Sequence, residues 1–253
     1  MKIDFSKYSS VRIGGIFDVE VLDEMREFDG VIIGGANNLL ISPNPPKMGI
    51  LGSEFDYIKL ENGVLKIGAK TPSSKIYKFT KDNNIGGFEF VKKIPGTLGG
   101  MIKMNAGVKE YEIANLLLNI TTSKGIALAS ECGFSYRHSN IDGVIFEASF
   151  EIIREFDEAL SNKLNQKRSN QPKGASFGSC FANPTGDHAG RLLEAAGMKG
   201  YRIGGCGFSE IHANFLINYG SGSFNDAIEL INLAKNRVAE LFGIELRCEV
   251  VIL

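Results

Sequence analysis

The chain has 253 residues and a formal net charge of −1, from 28 basic and 29 acidic side chains. This balance excludes the broad positive surface that binds a nucleic-acid backbone or an anionic membrane. The N-terminus lacks the apolar segment of a signal peptide, and no apolar run approaches the ~20 residues that span a bilayer. The 4 cysteines form no CxxC pair and the 3 histidines are scattered, which argues against a metal site. We therefore expect a cytoplasmic protein without metal, nucleic acid or membrane insertion.

Short apolar runs separated by turn residues predict strands along much of the chain. The predicted strands are 19–22, 31–33, 39–41, 64–68, 120–123, 126–128, 144–153 and 249–253. Helices are predicted after Thr71-Pro72 and at 157–166, 190–197 and 225–242, the last with the clearest amphipathic period. We expect loops at 94–107 and 171–184, and a short helix or strand edge at 112–118.

Strands and helices are therefore mixed, without an internal repeat. A charged helix begins near Arg154–Glu158 and marks a predicted domain boundary. A terminal strand after a long helix often packs on an earlier sheet, so we expect residues 248–253 to return to the first domain.

A first glycine-rich loop, Gly34–Asn38, follows a predicted strand. Consecutive backbone N–H groups in such a turn can form an anion-binding nest, and glycine allows phosphate oxygens to approach closely. The loop lacks both the Walker sequence and the GxGxxG fingerprint. Taken alone, it fits an ordinary tight turn equally well.

A second glycine-rich loop, Pro95–Gly100, continues to Asn105-Ala106-Gly107. Two such loops in the first half of the chain favour a bipartite diphosphate site over two ordinary turns. The alternative is that Gly99 and Gly100 serve helix capping or packing.

Three polar residues stand out in the later motifs. Arg137, between an aromatic and a polar residue, can bind a carboxylate or phosphate with two hydrogen bonds, although the pentapeptide 135–139 alone favours a surface arginine in a polar loop. Ser179 and Cys180 lack a histidine at a hydrolase spacing, which disfavours nucleophilic catalysis. Glu249 interrupts an apolar run, so it either faces solvent or is a buried group with a purpose.

The motifs, in order, resemble the UDP-N-acetylenolpyruvoylglucosamine reductase family of flavoenzymes. They are VRIGG at 11–15, GGANNLL at 34–40, IPGTLGGMIKMNAG at 94–107, SYRHS at 135–139, GSCFANP at 178–184, EAAGMKG at 194–200 and SEIHANFLIN at 209–218. Each motif is weak alone, but their shared order covers nearly the whole chain. The short length resembles the compact form of the family, which lacks a tyrosine-bearing loop.

The resemblance implies an α+β fold with a vanillyl-alcohol-oxidase-like (PCMH-like) FAD-binding domain at 1–153, divided at about residue 48. A substrate-binding domain would follow at 154–247, and the strand 248–253 would return to the active site. The FAD-binding residues it implies are Gly34, Gly35, Ala36, Asn37, Asn38, Leu39, Pro95, Gly96, Thr97, Gly99, Gly100, Asn105, Ala106 and Gly107.

The implied activity is NADPH-dependent reduction of UDP-N-acetylglucosamine enolpyruvate in peptidoglycan precursor synthesis, by a monomer. By their positions in the motifs, Arg137 would polarise the substrate carboxylate and Ser179 would donate a proton, and Glu249 of the terminal CEVVIL at 248–253 would complete the catalytic group. The substrate-binding residues it implies are Tyr136, Asn183, Lys167 and Arg168. The sequence does not distinguish NADPH from NADH.

Some positions depart from the family pattern. Ala36-Asn37 stand where Gly-Ser is common, Met101 replaces a small residue, and Ala182 and Asn170 stand where lysines are usual. Lys167 or Arg168 would then compensate in binding the diphosphate. Two alternatives remain: another flavin-dependent oxidoreductase of the same fold, and a non-catalytic protein that binds flavin or a sugar nucleotide.

Overall fold

The structure is a computed structural model that describes residues 1–167 and 171–253, without the side chain of Lys167. The strands, in chain order, are β1 (Lys2–Asp4), β2 (Ile16–Leu22), β3 (Val31–Ile32), β4 (Leu39–Leu40), β5 (Met48–Leu51), β6 (Ile58–Glu61), β7 (Val64–Gly68), β8 (Gly107–Val108), β9 (Tyr111–Glu112), β10 (Leu117–Thr122), β11 (Gly125–Leu128), β12 (Ile145–Glu151), β13 (Ala175–Ser179), β14 (Arg202–Ile203), β15 (Cys206–Phe208), β16 (Phe215–Asn218) and β17 (Val251–Ile252). The helices are α1 (Phe5–Tyr8), α2 (Ser73–Asp82), α3 (Leu98–Lys103), α4 (Glu158–Lys167), α5 (Ala189–Ala195) and α6 (Phe224–Phe242). Short 3-10 helices lie at Ser53–Phe55, Glu89–Lys93, Ile113–Leu116 and Ala129–Glu131.

The first compact unit comprises Met1, Val19–Gly35 and the chain from Lys47 to the end of α4. Its largest sheet is antiparallel, in the order β11-β10-β12-β7-β6. The end of β2 and all of β3 pair in parallel with β5. Alternate residues of β7 and β12 face the core, where the Phe88 and Phe150 rings meet edge to face at 5.3 Å. This burial follows from the two-residue period of a strand.

The second compact unit comprises Lys2–Asp18, Ala36–Pro46 and residues 171–253. It contains the antiparallel sheet β13-β16-β15-β14 and the parallel pair β4–β17. Helix α6 buries one apolar stripe against this sheet's core. Ser223 and Asp226 form a reciprocal capping box at its start, and Gly243 ends it in the left-handed conformation with φ +66°.

The structure confirms most of the predicted elements and corrects three. Segment 94–107, expected to be a loop, contains helix α3, and segment 171–184, also expected to be a loop, contains strand β13. The final strand is shorter than expected, at Val251–Ile252. Hydrogen-bond partners that are distant in sequence stabilise these elements. In helix α3, for example, Leu98 N donates to Thr71 O at 3.0 Å. A local sequence pattern does not show which distant residues a segment will contact.

The compact units place the division after α4 and group two N-terminal segments with residues 171–253. They are defined by contacts and assign no ligand, so the division into domains 1–153, 154–247 and 248–253 stays a prediction. Arg168, Asn170 and the side chain of Lys167 lie outside the described residues. Within the described ranges, no helix is long and apolar enough to cross a bilayer, and no metal-binding cluster of His, Cys, Asp or Glu side chains is found.

One buried carboxylate fixes the start of α4 in the first unit. Glu89 is 1% exposed, and both its oxygens accept hydrogen bonds from the Arg154 guanidinium, at 2.7 and 2.9 Å. The backbone N–H groups of Gly87 and Asp157 each donate to it at 2.8 Å. A buried charge is tolerated when it is paired and fully hydrogen-bonded in this way.

We expect Arg154→Ala to lower the free energy of unfolding by about 2–4 kcal/mol, because it leaves a buried carboxylate without its cation. Urea denaturation of the purified protein measures this change. Lys124→Ala is the matched control, since it removes an exposed partner of Glu27 and should have no measurable effect. Equal effects of the two variants would contradict a special role for the buried pair.

Candidate active site

The two glycine-rich loops meet within the first unit. A Cβ atom built on Gly34, at the start of the first loop, would overlap the Thr97 hydroxyl of the second loop. Gly34 is therefore required for close packing. The sequence predicted these loops as one bipartite site, and their contact at Gly34 and Thr97 supports that interpretation.

The second loop rests on the end of strand β7. Gly99 N donates to Ala69 O at 2.8 Å, and a Cβ on Gly99 would lie only 3.2 Å from the Ala69 Cβ. Gly100 differs, because it is exposed and a Cβ there would have only the Thr97 Oγ1, at 3.8 Å, within contact range. The loop thus uses Gly99 for packing and leaves the surface at Gly100 open.

These residues fit a phosphate-bearing cofactor such as FAD. Gly100 presents an exposed backbone next to the Thr97 hydroxyl, at the first turn of α3. Leu98 N and Gly99 N at this end of α3 donate to Thr71 O and Ala69 O, so an anion would be bound by the Gly100 backbone and the Thr97 hydroxyl. Pro95, which is close to these residues in the sequence, is exposed. Leu39, another predicted cofactor-binding residue, lies in strand β4.

The first loop continues in the second unit with a strained residue. Ala36 is 3% exposed and has φ +47°, in the left-handed region that glycine adopts more easily. Ser10 holds this conformation, since its N–H donates to Ala36 O at 3.2 Å and its hydroxyl to Asn37 O at 3.1 Å. A glycine at this position would adopt the same backbone angle with less strain.

Arg137 lies at the tip of a tight two-residue turn in the first unit. Ser135 and His138 exchange both backbone hydrogen bonds, each 3.1 Å long, and Arg137 has φ +55°. Such strain in a residue other than glycine persists only when its surroundings hold it. Tyr136, the other tip residue, is exposed, and its ring lies 4.8 Å from the Arg137 guanidinium.

The Arg137 side chain is bound to the segment that follows α3. Its Nη2 donates to Gly107 O at 2.9 Å and its Nη1 to Asn105 O at 3.5 Å. Glu112 Oε1 is 3.7 Å from Nη1. The Asn105 amide donates to Glu112 Oε2 at 2.7 Å and to Ser135 O at 3.1 Å. The structure therefore joins the SYRHS motif to the second loop through Asn105 and Gly107, with Glu112 beside them.

Ser179 ends strand β13 of the second unit after a β-bulge. Ser176 pairs with Ile217 but Ser179 pairs with Phe215, so β13 carries one extra residue. Gly178 has φ +86° at this point, and its N–H donates to the Ser176 hydroxyl at 3.1 Å. Bulges redirect the side chains that follow them, and here that side chain is Ser179.

Glu249 lies next to the Ser179 strand in the same unit. Its N–H donates to Cys180 O at 2.9 Å, and its own carbonyl accepts from the Asn38 amide at 2.8 Å. Asn38 O in turn accepts from Val251 N at 3.0 Å. The fold thus places the Glu249 backbone next to Cys180, the residue after Ser179, and next to Asn38 of the first loop.

Asn214 is a site residue that sequence reasoning missed. Its buried side-chain amide donates to Phe181 O at 2.8 Å and accepts from Phe181 N at 2.9 Å. Its backbone carbonyl accepts from Cys180 N at 2.7 Å. It therefore fixes the two residues after Ser179. The available signal was a single amide in the apolar run Ala213–Ile217. The predicted substrate residue Asn183 is exposed and accepts from Ala189 N at 3.0 Å, at the start of α5.

Cys180 has an environment unsuited to nucleophilic chemistry. Its thiol is fully buried, and this desolvation raises its pKa well above the usual value, with a smaller contribution from nearby Cys248 and Glu249. The thiolate is the reactive form of cysteine, so burial makes this side chain inert. This agrees with the sequence analysis, which disfavours nucleophilic catalysis by this segment.

We expect iodoacetamide at pH 8 to modify Cys180 in the folded protein at least about a hundredfold more slowly than in urea. Mass spectrometry of the Cys180 peptide measures the two rates. The half-buried Cys248 serves as the internal comparison in the same digest. Rapid native modification of Cys180 would contradict its buried, neutral state.

We expect Gly34→Ala to destabilise the flavin-free protein by about 1–3 kcal/mol, because the new methyl group overlaps Thr97. Gly100→Ala should leave that stability equal or higher, since alanine favours a helix by up to about 1 kcal/mol. Urea unfolding of the flavin-free protein tests both. FAD titration should then show weaker binding for Gly100→Ala; normal binding would remove Gly100 from the cofactor site.

Known proteins resemble the chain along its whole length. A family model described as the C-terminal domain of UDP-N-acetylenolpyruvoylglucosamine reductase matches residues 170–253. A protein of Campylobacter jejuni (strain RM1221), named UDP-N-acetylenolpyruvoylglucosamine reductase, is 52% identical over 100% of both chains. A Helicobacter pylori protein (strain ATCC 700392 / 26695) with the same name is 44% identical over 99% of this chain and 98% of its own.

A solved structure supports the same relationship. The UDP-N-acetylenolpyruvylglucosamine reductase (MurB) of Thermus caldophilus has a TM-score of 0.86 and 26% identity, over 100% of this chain and 98% of the other. This match confirms the predicted α+β fold class. With relatives at this identity along its full length, the chain belongs to the UDP-N-acetylenolpyruvoylglucosamine reductase family.

Proposed function

We propose that this protein reduces UDP-N-acetylglucosamine enolpyruvate to UDP-N-acetylmuramate for peptidoglycan synthesis, with bound FAD and with NADPH as the reductant. As a member of a reductase family, the chain is an oxidoreductase. The hydrogen bond from Glu249 N to Cys180 O carries the proposal, because it places the Glu249 backbone beside the residue that follows Ser179. Ser179 and Glu249 are two of the three polar residues that the proposed reaction requires.

The net reaction adds a hydride to the terminal alkene carbon and a proton to the adjacent carbon. Bound FAD supplies the hydride-transfer chemistry, which no side chain of the site provides. The glycine surface at Gly34, Thr97 and Gly100 would hold its diphosphate. The chain's own residues have three further tasks: binding the carboxylate, stabilising developing charge and delivering the proton.

Arg137 is proposed to bind the substrate carboxylate. Negative charge accumulates on that carboxylate as the alkene receives hydride, and a fixed guanidinium stabilises it. The hydrogen bonds to Gly107 O and Asn105 O fix the guanidinium before the substrate arrives. Such preorganisation avoids reorientation during the reaction.

Ser179 is proposed to protonate the carbon next to the carboxylate. A serine hydroxyl is a weak acid, so it donates effectively only to a strongly basic centre such as an enolate. The Gly178 bulge and the Asn214 hydrogen bonds fix the backbone on both sides of Ser179. Glu249, held by Asn38, is proposed to orient the proton or to share the charge as a neutral acid.

A direct experiment tests the proposal as a whole. The purified protein is examined for a flavin spectrum, and NADPH oxidation is followed with and without the enolpyruvyl sugar nucleotide. We expect a flavin spectrum and substrate-dependent oxidation of NADPH. Absence of bound flavin after incubation with FAD would refute the proposal, and flavin reduction without substrate-dependent turnover would favour another oxidoreductase of this fold.

Ser179→Ala separates the two half-reactions. We expect reoxidation of the reduced flavin by substrate to slow at least about a hundredfold, the usual range for loss of a proton donor. Flavin reduction by NADPH should stay within about twofold of wild type, because no proton from Ser179 is needed there. Stopped-flow absorbance of the flavin measures both rates.

Ser221→Ala is the matched control, since Ser221 is an exposed hydroxyl in the loop before α6. It should leave both half-reactions unchanged. If Ser179→Ala slowed both half-reactions equally, Ser179 would have a role in folding or flavin binding, not in protonation.

A further inference from the structure

A small hairpin brings a carboxylate to the predicted catalytic arginine. Strands β8 and β9 pair with Gly107 opposite Glu112. A Cβ on Gly107 would overlap Tyr111 O and lie within 2.9 Å of the Glu112 Cα, so only glycine permits this pairing. Gly107 O, which accepts from Arg137, and the Glu112 carboxylate therefore lie on adjacent strands beside one guanidinium.

Glu112 is held in place independently of Arg137. Its Oε2 accepts from the Asn105 amide at 2.7 Å, and that amide is on a residue only 1% exposed. The other oxygen, Oε1, lies 3.7 Å from Arg137 Nη1. The Arg137 and Glu112 side chains are 17% and 23% exposed, so solvent screens their attraction only partly.

The distances around Arg137 show which groups position its side chain and which group contributes mainly charge. Arg137 is positioned by carbonyl oxygens at 2.9 and 3.5 Å and by the adjacent Tyr136 ring. The carboxylate at 3.7 Å is beyond ordinary hydrogen-bond length. Its contribution is therefore mainly a negative charge that offsets the guanidinium.

We propose that Glu112 is the counter-ion of Arg137 and limits how tightly this arginine binds carboxylates. The inference rests on the proposed function, in which Arg137 binds the carboxylate of an enolpyruvyl ether. Both the substrate and its reduced product carry that carboxylate, so an uncompensated arginine would retain both. Glu112 acts through Arg137 and is not itself a catalytic residue.

The test replaces Glu112 by its neutral isostere. Glu112→Gln keeps an oxygen to accept from Asn105 and removes only the charge. We expect the KM for the enolpyruvyl sugar nucleotide and the inhibition constant of UDP-N-acetylmuramate both to fall about twofold to fivefold, the range of a partly screened ion pair. The kcat should not rise, because the product leaves more slowly, and the melting temperature should stay near that of wild type.

Two variants provide the controls. Glu110→Gln removes the same charge from an exposed residue of the same hairpin turn and should leave KM and product inhibition unchanged. Glu112→Asp retains the charge and should restore both constants toward wild type.

The outcomes are distinct. The counter-ion role is overturned if Glu112→Gln leaves the KM unchanged or raises it. It is also overturned if Glu110→Gln lowers the KM by the same factor. A loss of kcat without a fall in KM also overturns it, since that result indicates positioning of Arg137. If wild type itself shows no turnover with the enolpyruvyl sugar nucleotide, the proposed function fails, and this is seen before any variant is compared.

Discussion

The positions of Ser179 and Glu249, the catalytic candidates of the second unit, depend on a set of backbone hydrogen bonds made by the last residues of the chain. Glu249 N donates to Cys180 O, and Val251 N donates to Asn38 O. The segments they join are far apart in sequence; the Asn38 amide, which also donates to Glu249 O, lies 211 positions from that residue. Closing such long loops costs conformational entropy that local contacts cannot offset. The buried Val250, which follows Glu249, and the buried Leu40, two residues after Asn38, supply apolar burial for this closure.

The glycines show how one residue type serves different physical needs. Gly34 and Gly107 are required because another chain segment occupies the space of a side chain. Gly178 is required by its backbone angle, φ +86°. Packing is not the reason, because a Cβ there would meet nothing within 4 Å. Gly100 has neither constraint within its unit. An open glycine without a packing or conformational reason is the type expected where a ligand approaches the backbone.

How much the sequence predicts depends on whether a feature is local. Helix α6 follows from its apolar period, its Ser223 cap and Gly243, all within one segment. Helix α3 is missed because its glycines disfavour a helix, and Ala69 and Thr71 supply the missing support from outside. The order of the motifs indicates Arg137, Ser179 and Glu249, but the roles of Glu112 and Asn214 require the strand register, which local pattern does not contain.

Two carboxylates of the first unit differ in how many hydrogen-bond donors surround them, and this difference indicates different roles. Glu89 is buried and accepts from Arg154 and two backbone N–H groups, so its charge is fully compensated where it lies. Glu112 accepts one amide hydrogen bond and keeps a second oxygen 3.7 Å from Arg137. A compensated charge stabilises the fold, whereas a partly compensated one still acts on its neighbour. The field of Glu112 at Arg137 therefore sets how strongly that guanidinium attracts a further carboxylate.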